Sequence, residues 1–171
     1  MPEIEALRAA ARLAFESQQS FRNLTPAQAR TLSAFAEQIV PSDDLPGARE
    51  AGAIYFIDAA LGGFAHRVKP LVKEAVEALE AATRKRYRNA ASFADLNSAR
   101  QLRVLKGFEE HDGFGLLRTL VVLGVFSDPK YGGNRNQAGF RILDMQHQPT
   151  YAPPFGYYDA QLLPGTKARQ P

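Results

Sequence analysis

The side chains that could do chemistry are few in this chain and poorly arranged for it. Histidine occurs at positions 66, 111 and 147, with no spacing that would let two of them share a metal. His111 stands next to Asp112, and a carboxylate beside an imidazole is the start of a general-base pair. It is the best enzyme candidate in the chain, and it has no nucleophile near it in sequence. Asp43 and Asp44 could hold a cation, but adjacent acids in a Pro/Gly-rich loop more often cap helices. There is no cysteine, which excludes disulfides, thiol nucleophiles and cysteine metal sites. No Gly-x-Ser-x-Gly elbow, dinucleotide-binding Gly-x-Gly-x-x-Gly or phosphate-binding Gly-Lys-Ser/Thr loop occurs. The run Arg84-Lys85-Arg86-Tyr87-Arg88 could meet phosphate. Cations also favour a helix C-terminus, and no second basic element accompanies the run in sequence.

A different stretch, residues 126–140, carries residue types that neither solvation nor core packing explains: Phe-Ser-Asp-Pro-Lys-Tyr-Gly-Gly-Asn-Arg-Asn-Gln-Ala-Gly-Phe. Pro129 pushes Asp128 out of the helical region and ends the preceding helix. Gly132 and Gly133 permit positive φ, and Asn134 tolerates it. Asp128, Asn134 and Asn136 can hydrogen-bond nearby backbone, while Tyr131 and Phe140 bracket the loop and can pin it to a surface. The plain reading is a well-packed turn after a buried helix. The sharper one is a loop that docks on a partner, since loops on rigid scaffolds often carry function.

Helical segments position this loop. Residues 2–19 carry apolar positions at helical spacing with acids near the start. Thr25-Pro26-Ala27-Gln28 is a capping box with proline in the first turn, followed by Ala29, Leu32, Phe35, Ala36 and Ile39 on one face. Residues 54–61 read as a short apolar helix. Residues 69–87 read as a longer one with Leu71, Val72, Ala75, Val76, Leu79 and Ala82 inward. Residues 98–110 place Leu102, Leu105 and Phe108 in register. Residues 114–126 are apolar nearly all round and are expected to form the central buried helix. After residue 147 the helical period stops, and Tyr151, Phe155, Tyr157 and Tyr158 stand among prolines. The expected architecture is an all-α single domain of about six helices: an N-terminal helix within 1–22, a helical body over 23–147 and an extended tail over 148–171.

The 171 residues are 45% hydrophobic and 23% charged, ordinary for one globular domain. A net charge of +3 does not by itself argue for nucleic acid. No apolar run is long enough to cross a bilayer. The chain starts acidic and has no Arg-Arg pair, so neither a secretion signal nor a twin-arginine signal is read, and a chain that truly begins here would be cytoplasmic.

Three motifs in order resemble the gluconate 2-dehydrogenase subunit 3 family. They are Leu24-Thr25-Pro26-Ala27-Gln28 with Ile39-Val40-Pro41-Ser42-Asp43-Asp44, then residues 46–52 (Pro-Gly-Ala-Arg-Glu-Ala-Gly), then residues 126–134 with Gly139. The resemblance spans roughly residues 24–142. The last motif is the specific one. The chain departs from it at Phe140, where the family usually has tryptophan, and at residues 143–146.

The resemblance implies a non-catalytic small subunit with no cofactor of its own. It implies pairing with an FAD-containing flavoprotein of the glucose-methanol-choline (GMC) type that oxidises sugars or alcohols, often with a cytochrome c subunit. It also implies a periplasmic setting. The expected partner surface comprises Asp128, Pro129, Tyr131, Gly132, Gly133, Asn134, Arg135 and Phe140, with Tyr151, Phe155, Tyr157 and Tyr158 of the tail. The rival expectations are a helical enzyme at His111/Asp112 and a weak nucleic-acid binder using residues 84–88.

Overall fold

The computed structural model describes residues 21–145. Among them lie six α-helices and no strand: α1 Pro26–Ile39, α2 Ala53–Gly62, α3 Lys69–Arg86, α4 Ser98–Phe108, α5 Asp112–Phe126 and α6 Ala138–Ile142. The helix expected over residues 2–19 and the tail over 148–171, with His147, lie outside the described residues.

Local signals set the helix starts. The Thr25 hydroxyl accepts the Gln28 N–H at 3.2 Å while Gln28 Oε1 accepts the Thr25 N–H at 2.9 Å, so two donors at the start of α1 satisfy each other's partners. Asn97 Oδ1 caps α4 by accepting the Arg100 N–H at 3.0 Å. Ser92 caps a single 3₁₀ turn that sinks Phe93 fully into the core.

Helix α5 is the central element and packs on α1, α2 and α3. Leu117, Val121 and Val125 of α5 are buried with Leu32 and Phe35 of α1, Ile57 and Leu61 of α2, and Val72 and Leu79 of α3. Each such side chain contributes about 1.5–3 kcal/mol by leaving water. Phe114 meets Phe35 edge-on, with ring centroids 5.7 Å apart.

The expected inward faces need three corrections. Leu71 and Leu102 are exposed, because the buried stripes run through Val72, Ala75, Val76 and Leu79 on α3 and through Gln101, Val104, Leu105 and Phe108 on α4. Each of those leucines sits one residue off its stripe, about 100° around the helix. Helix α5 is not buried all round: Val122 and Leu123 face outward and, with Ile39 and Val40, line a shallow apolar groove. Residues 138–142 form a short helix instead of loop.

Asp58 ties the entry segment to the body. Its carboxylate accepts the N–H groups of Arg22, Asn23 and Leu24 at 2.8–3.0 Å. Asn23 Nδ2 donates to the Asp58 carbonyl at 2.9 Å. Three donors on one buried acid stabilise more than neutral bonds do. Asp58→Ala is expected to lower the unfolding free energy by about 2 kcal/mol, since only the Leu24 N–H is fully buried and the other two regain water. A urea melt of the full chain measures this, and an unchanged midpoint would refute the tie.

Candidate functional site

The second and third sequence motifs, some eighty residues apart in the chain, meet at the junction of the α2 N-terminus and the α5 C-terminus. The 46–52 loop first closes on itself. Ala48 N–H donates to the Val40 carbonyl at 2.8 Å, and the Glu50 carboxylate accepts from both the Ser42 hydroxyl and the Gly47 N–H. Asp43 Oδ1 accepts the Leu45 N–H at 2.9 Å and so shapes the corner of this loop. The loop ends at Gly52, which has φ of 65° and leads into α2. An L side chain there would be strained, and its Cβ would also lie 2.6 Å from Arg135 Cδ.

The 127–137 loop locks onto this junction through Asn134. The residue is fully buried in the left-handed region, with φ of 44°. Its N–H donates to the Gly124 carbonyl at 2.9 Å, and its Nδ2 donates to the Ser127 carbonyl at 2.8 Å. Its Oδ1 accepts the Gly139 N–H at 2.8 Å. One residue, through backbone and side chain, therefore satisfies two carbonyls at the α5 C-terminus and an N–H at the α6 N-terminus. Beside it Gly133 lies so close to α5 that a Cβ would fall 2.1 Å from the Gly124 carbonyl oxygen. Gly139 has the same relation to the Val125 carbonyl.

Arg135 joins the two motifs directly. Its N–H donates to the Ala51 carbonyl at 2.9 Å, and its Nε donates to the Gly132 carbonyl at 3.2 Å. Its guanidinium lies 3.6 Å from the centroid of the Tyr55 ring, which in turn stacks on Phe21. Asn136 and Gln137 also hold positive φ, at 53° and 57°. Two such non-glycine residues in succession, next to Asn134, persist only where the surroundings over-determine them.

The expected surface residues thus divide into two groups. Gly133 and Asn134 face inward and hold the loop, a correction to their reading as partner-facing. The physical reason is that carbonyls at the α5 C-terminus need donors, which Asn134 supplies, and that Gly133 has no Cβ to block the close approach to Gly124. Tyr131 stands outward at 54% exposure, beside exposed Lys130, Asn136 and Gln137. Asp128, Pro129, Gly132, Arg135 and Phe140 are half-buried. Asp128 Oδ1 accepts the Lys130 N–H and caps the Pro129–Tyr131 turn. Its carboxylate also hydrogen-bonds and attracts the Lys130 ammonium, which holds that group above the usual lysine range. Leu143 and Met145, just after α6, are also exposed apolar side chains, at 51% and 48% exposure. Sequence reading passed over both, because the helical turn that presents them comes from packing against Val125. Tyr151, Phe155, Tyr157 and Tyr158 lie outside the described residues.

The enzyme candidate has a structural occupation. His111 is the N-cap of α5: Nδ1 accepts the Gly113 N–H at 3.0 Å, and the ring stacks on Phe108 at 4.7 Å. Asp112 is in the first turn of that helix, where a negative charge suits the dipole. Among the described residues no three His, Asp or Glu side chains gather as a metal site. His66 Nδ1 lies 3.0 Å from the Gly63 carbonyl at the end of α2.

What the described residues define is a helical scaffold that holds one closely anchored loop with an exposed tyrosine on it. The chain belongs to the gluconate 2-dehydrogenase subunit 3 family, whose model it matches over residues 26–145. That span includes the Thr25-capped helix from its first residue, both converging loops and α6, and the family's name is that of a subunit of a dehydrogenase complex. No curated protein and no solved structure matches the chain.

Proposed function

We propose that this chain is a non-catalytic subunit of a flavin-dependent dehydrogenase. It binds a GMC-type flavoprotein that carries FAD and oxidises a sugar or alcohol, in the periplasm, with a cytochrome c subunit as a further member. The chain itself holds no cofactor in this reading. The observation that carries it is the locked 127–137 loop. The loop is anchored by its own turns and by bonds to α5 and residue 51, and it raises Tyr131 from that base. A preorganised loop loses little entropy on docking, and tyrosine is a common interface anchor. Binding of this kind stabilises the partner's folded state by mass action.

The test is reconstitution of the full chain with the flavoprotein. Tyr131→Ala is expected to weaken association at least tenfold, about 1.4 kcal/mol, while leaving the melting temperature of the free chain unchanged. A variant that binds as tightly as the parent would remove Tyr131 from the interface. FAD retained by the isolated chain would overturn the non-catalytic reading itself.

A further inference from the structure

The tertiary structure supplies what the 84–88 run lacks in sequence, a second basic element. Arg84, Lys85 and Arg86 occupy the last turn of α3, and α4 packs beside that helix. From α4, Arg100 places its guanidinium 5.4 Å from the Tyr87 ring centroid. Partial burial pushes the Tyr87 hydroxyl up, but hydrogen bonds from Arg86 and Arg103 outweigh it and leave the group below the usual tyrosine range. Tyr87 is thus the hub around which the two basic elements close.

The end of α3 and the start of α4 are rich in cations, with exposed Glu109 and Glu110 following only at the far end of α4. Between residues 81 and 108 stand seven cations, Arg84, Lys85, Arg86, Arg88, Arg100, Arg103 and Lys106, in a chain whose net charge is +3. The only acid in that span is Asp95, which is paired to Arg30 at 2.6 Å. All seven cations are exposed, and among the described residues none forms an ion pair. Beside them Leu102 is 45% exposed, one residue from Arg103 and one turn from Lys106. The contacts that hold the 127–137 loop are to α2, α5 and residues 51–52, so this face is separate from the loop.

We infer that the α3–α4 face is a peripheral docking surface for a bilayer of anionic phospholipid. A protein partner presents a mosaic of both signs and would be met by mixed charge, whereas the six cations from Arg84 to Arg103, with Asp95 already paired to Arg30 as the only acid among them, match a uniformly negative plane. Five of the six are arginines, whose forked donors suit phosphate oxygens. Leu102 supplies a shallow apolar contact below the headgroups. A nucleic acid would look for an open aromatic face, and that of Tyr87 is taken by Arg100. The inference does not depend on the flavoprotein reading.

The experiment is sedimentation of the full chain with large unilamellar vesicles, of phosphatidylcholine alone and of phosphatidylcholine mixed with phosphatidylglycerol. Binding is expected only to the mixed vesicles, falling steeply as salt rises from about 0.05 to about 0.5 M. The quadruple variant R84Q/K85Q/R86Q/R88Q and the separate pair R100Q/R103Q should each weaken partitioning by roughly fivefold per cation removed. All six positions are exposed, and circular dichroism checks that each variant keeps its helices. R118Q, an exposed cation on α5, should change nothing. Leu102→Ser should weaken vesicle binding while leaving binding to a heparin column unaltered. No binding to the mixed vesicles, equal binding to both kinds, or full binding by both cation variants would overturn the inference. So would displacement from the vesicles by single-stranded RNA at matched phosphate, which would make the face a nucleic-acid site.

Discussion

Asn134→Ala is expected to be among the most damaging single substitutions in this chain, lowering the unfolding free energy by about 4 kcal/mol. Two partners would lose their bonds at once: the half-buried Ser127 carbonyl, held by Nδ2, and the buried Gly139 N–H, held by Oδ1. Each orphaned group costs about 1–3 kcal/mol where water cannot reach it. Alanine would also have to hold φ near 44°, which adds about 1 kcal/mol. Asn134→Asp separates these contributions. It keeps an acceptor for Gly139 but loses the donor to Ser127 and sets a negative charge at the C-terminal end of the α5 dipole. It should therefore also be strongly destabilising. Urea melts of the full chain measure both. If the alanine variant lies within about 1 kcal/mol of the parent, Asn134 is not the strut that the geometry makes it.

The second large effect is expected at Gly133, with Gly132 as its internal control. A methyl group on Gly133 would lie 2.1 Å from the Gly124 carbonyl oxygen and 3.0 Å from Phe56 Cβ. The carbonyl cannot swing away without breaking its 2.9 Å bond from the Asn134 N–H, so the loop must lift off α5. Gly133→Ala should cost about 3 kcal/mol, the upper range for overpacking, and should reduce flavoprotein binding because the lifted loop no longer presents Tyr131. Gly132 is the glycine with positive φ, at 94°, and its added Cβ would meet nothing closer than the Tyr55 carbonyl at 3.9 Å. Gly132→Ala should therefore cost only about 1 kcal/mol of backbone strain. Thermal melts of the two variants give the order, and equal losses would mean that close approach to α5 is not what position 133 requires.

The Gly-Gly-Asn stretch shows how far sequence reasoning reached. That glycines and an asparagine in succession mark a special backbone was readable, because few other residues adopt positive φ cheaply. Which of the two glycines needed the dihedral and which needed the space was not, since the second requirement is set by a carbonyl on another helix. The same division runs through the helices. The Thr25/Gln28 box, the proline stop after Asp128 and the apolar stripe of α1 are local, governed by residues within one turn of each other, and they appear in the structure as read. Leu71 and Leu102 were misplaced because a helical period of 3.6 admits neighbouring stripes, and only the packing partner selects one.

By itself, the sequence determined the all-α class, most of the helix boundaries, the absence of thiol chemistry and the motif order that resembles the family. Tertiary structure alone decided that residues 46–52 and 126–139 form one site, that His111 caps a helix, that Asn134 is a buried strut, and that Arg100 and Arg103 join the 84–88 run. The physical reason is range. Caps, periods and turn chemistry act over a few residues and leave their mark in the string, whereas orphaned carbonyls, close backbone approach and shared charge depend on which elements the folded core brings together.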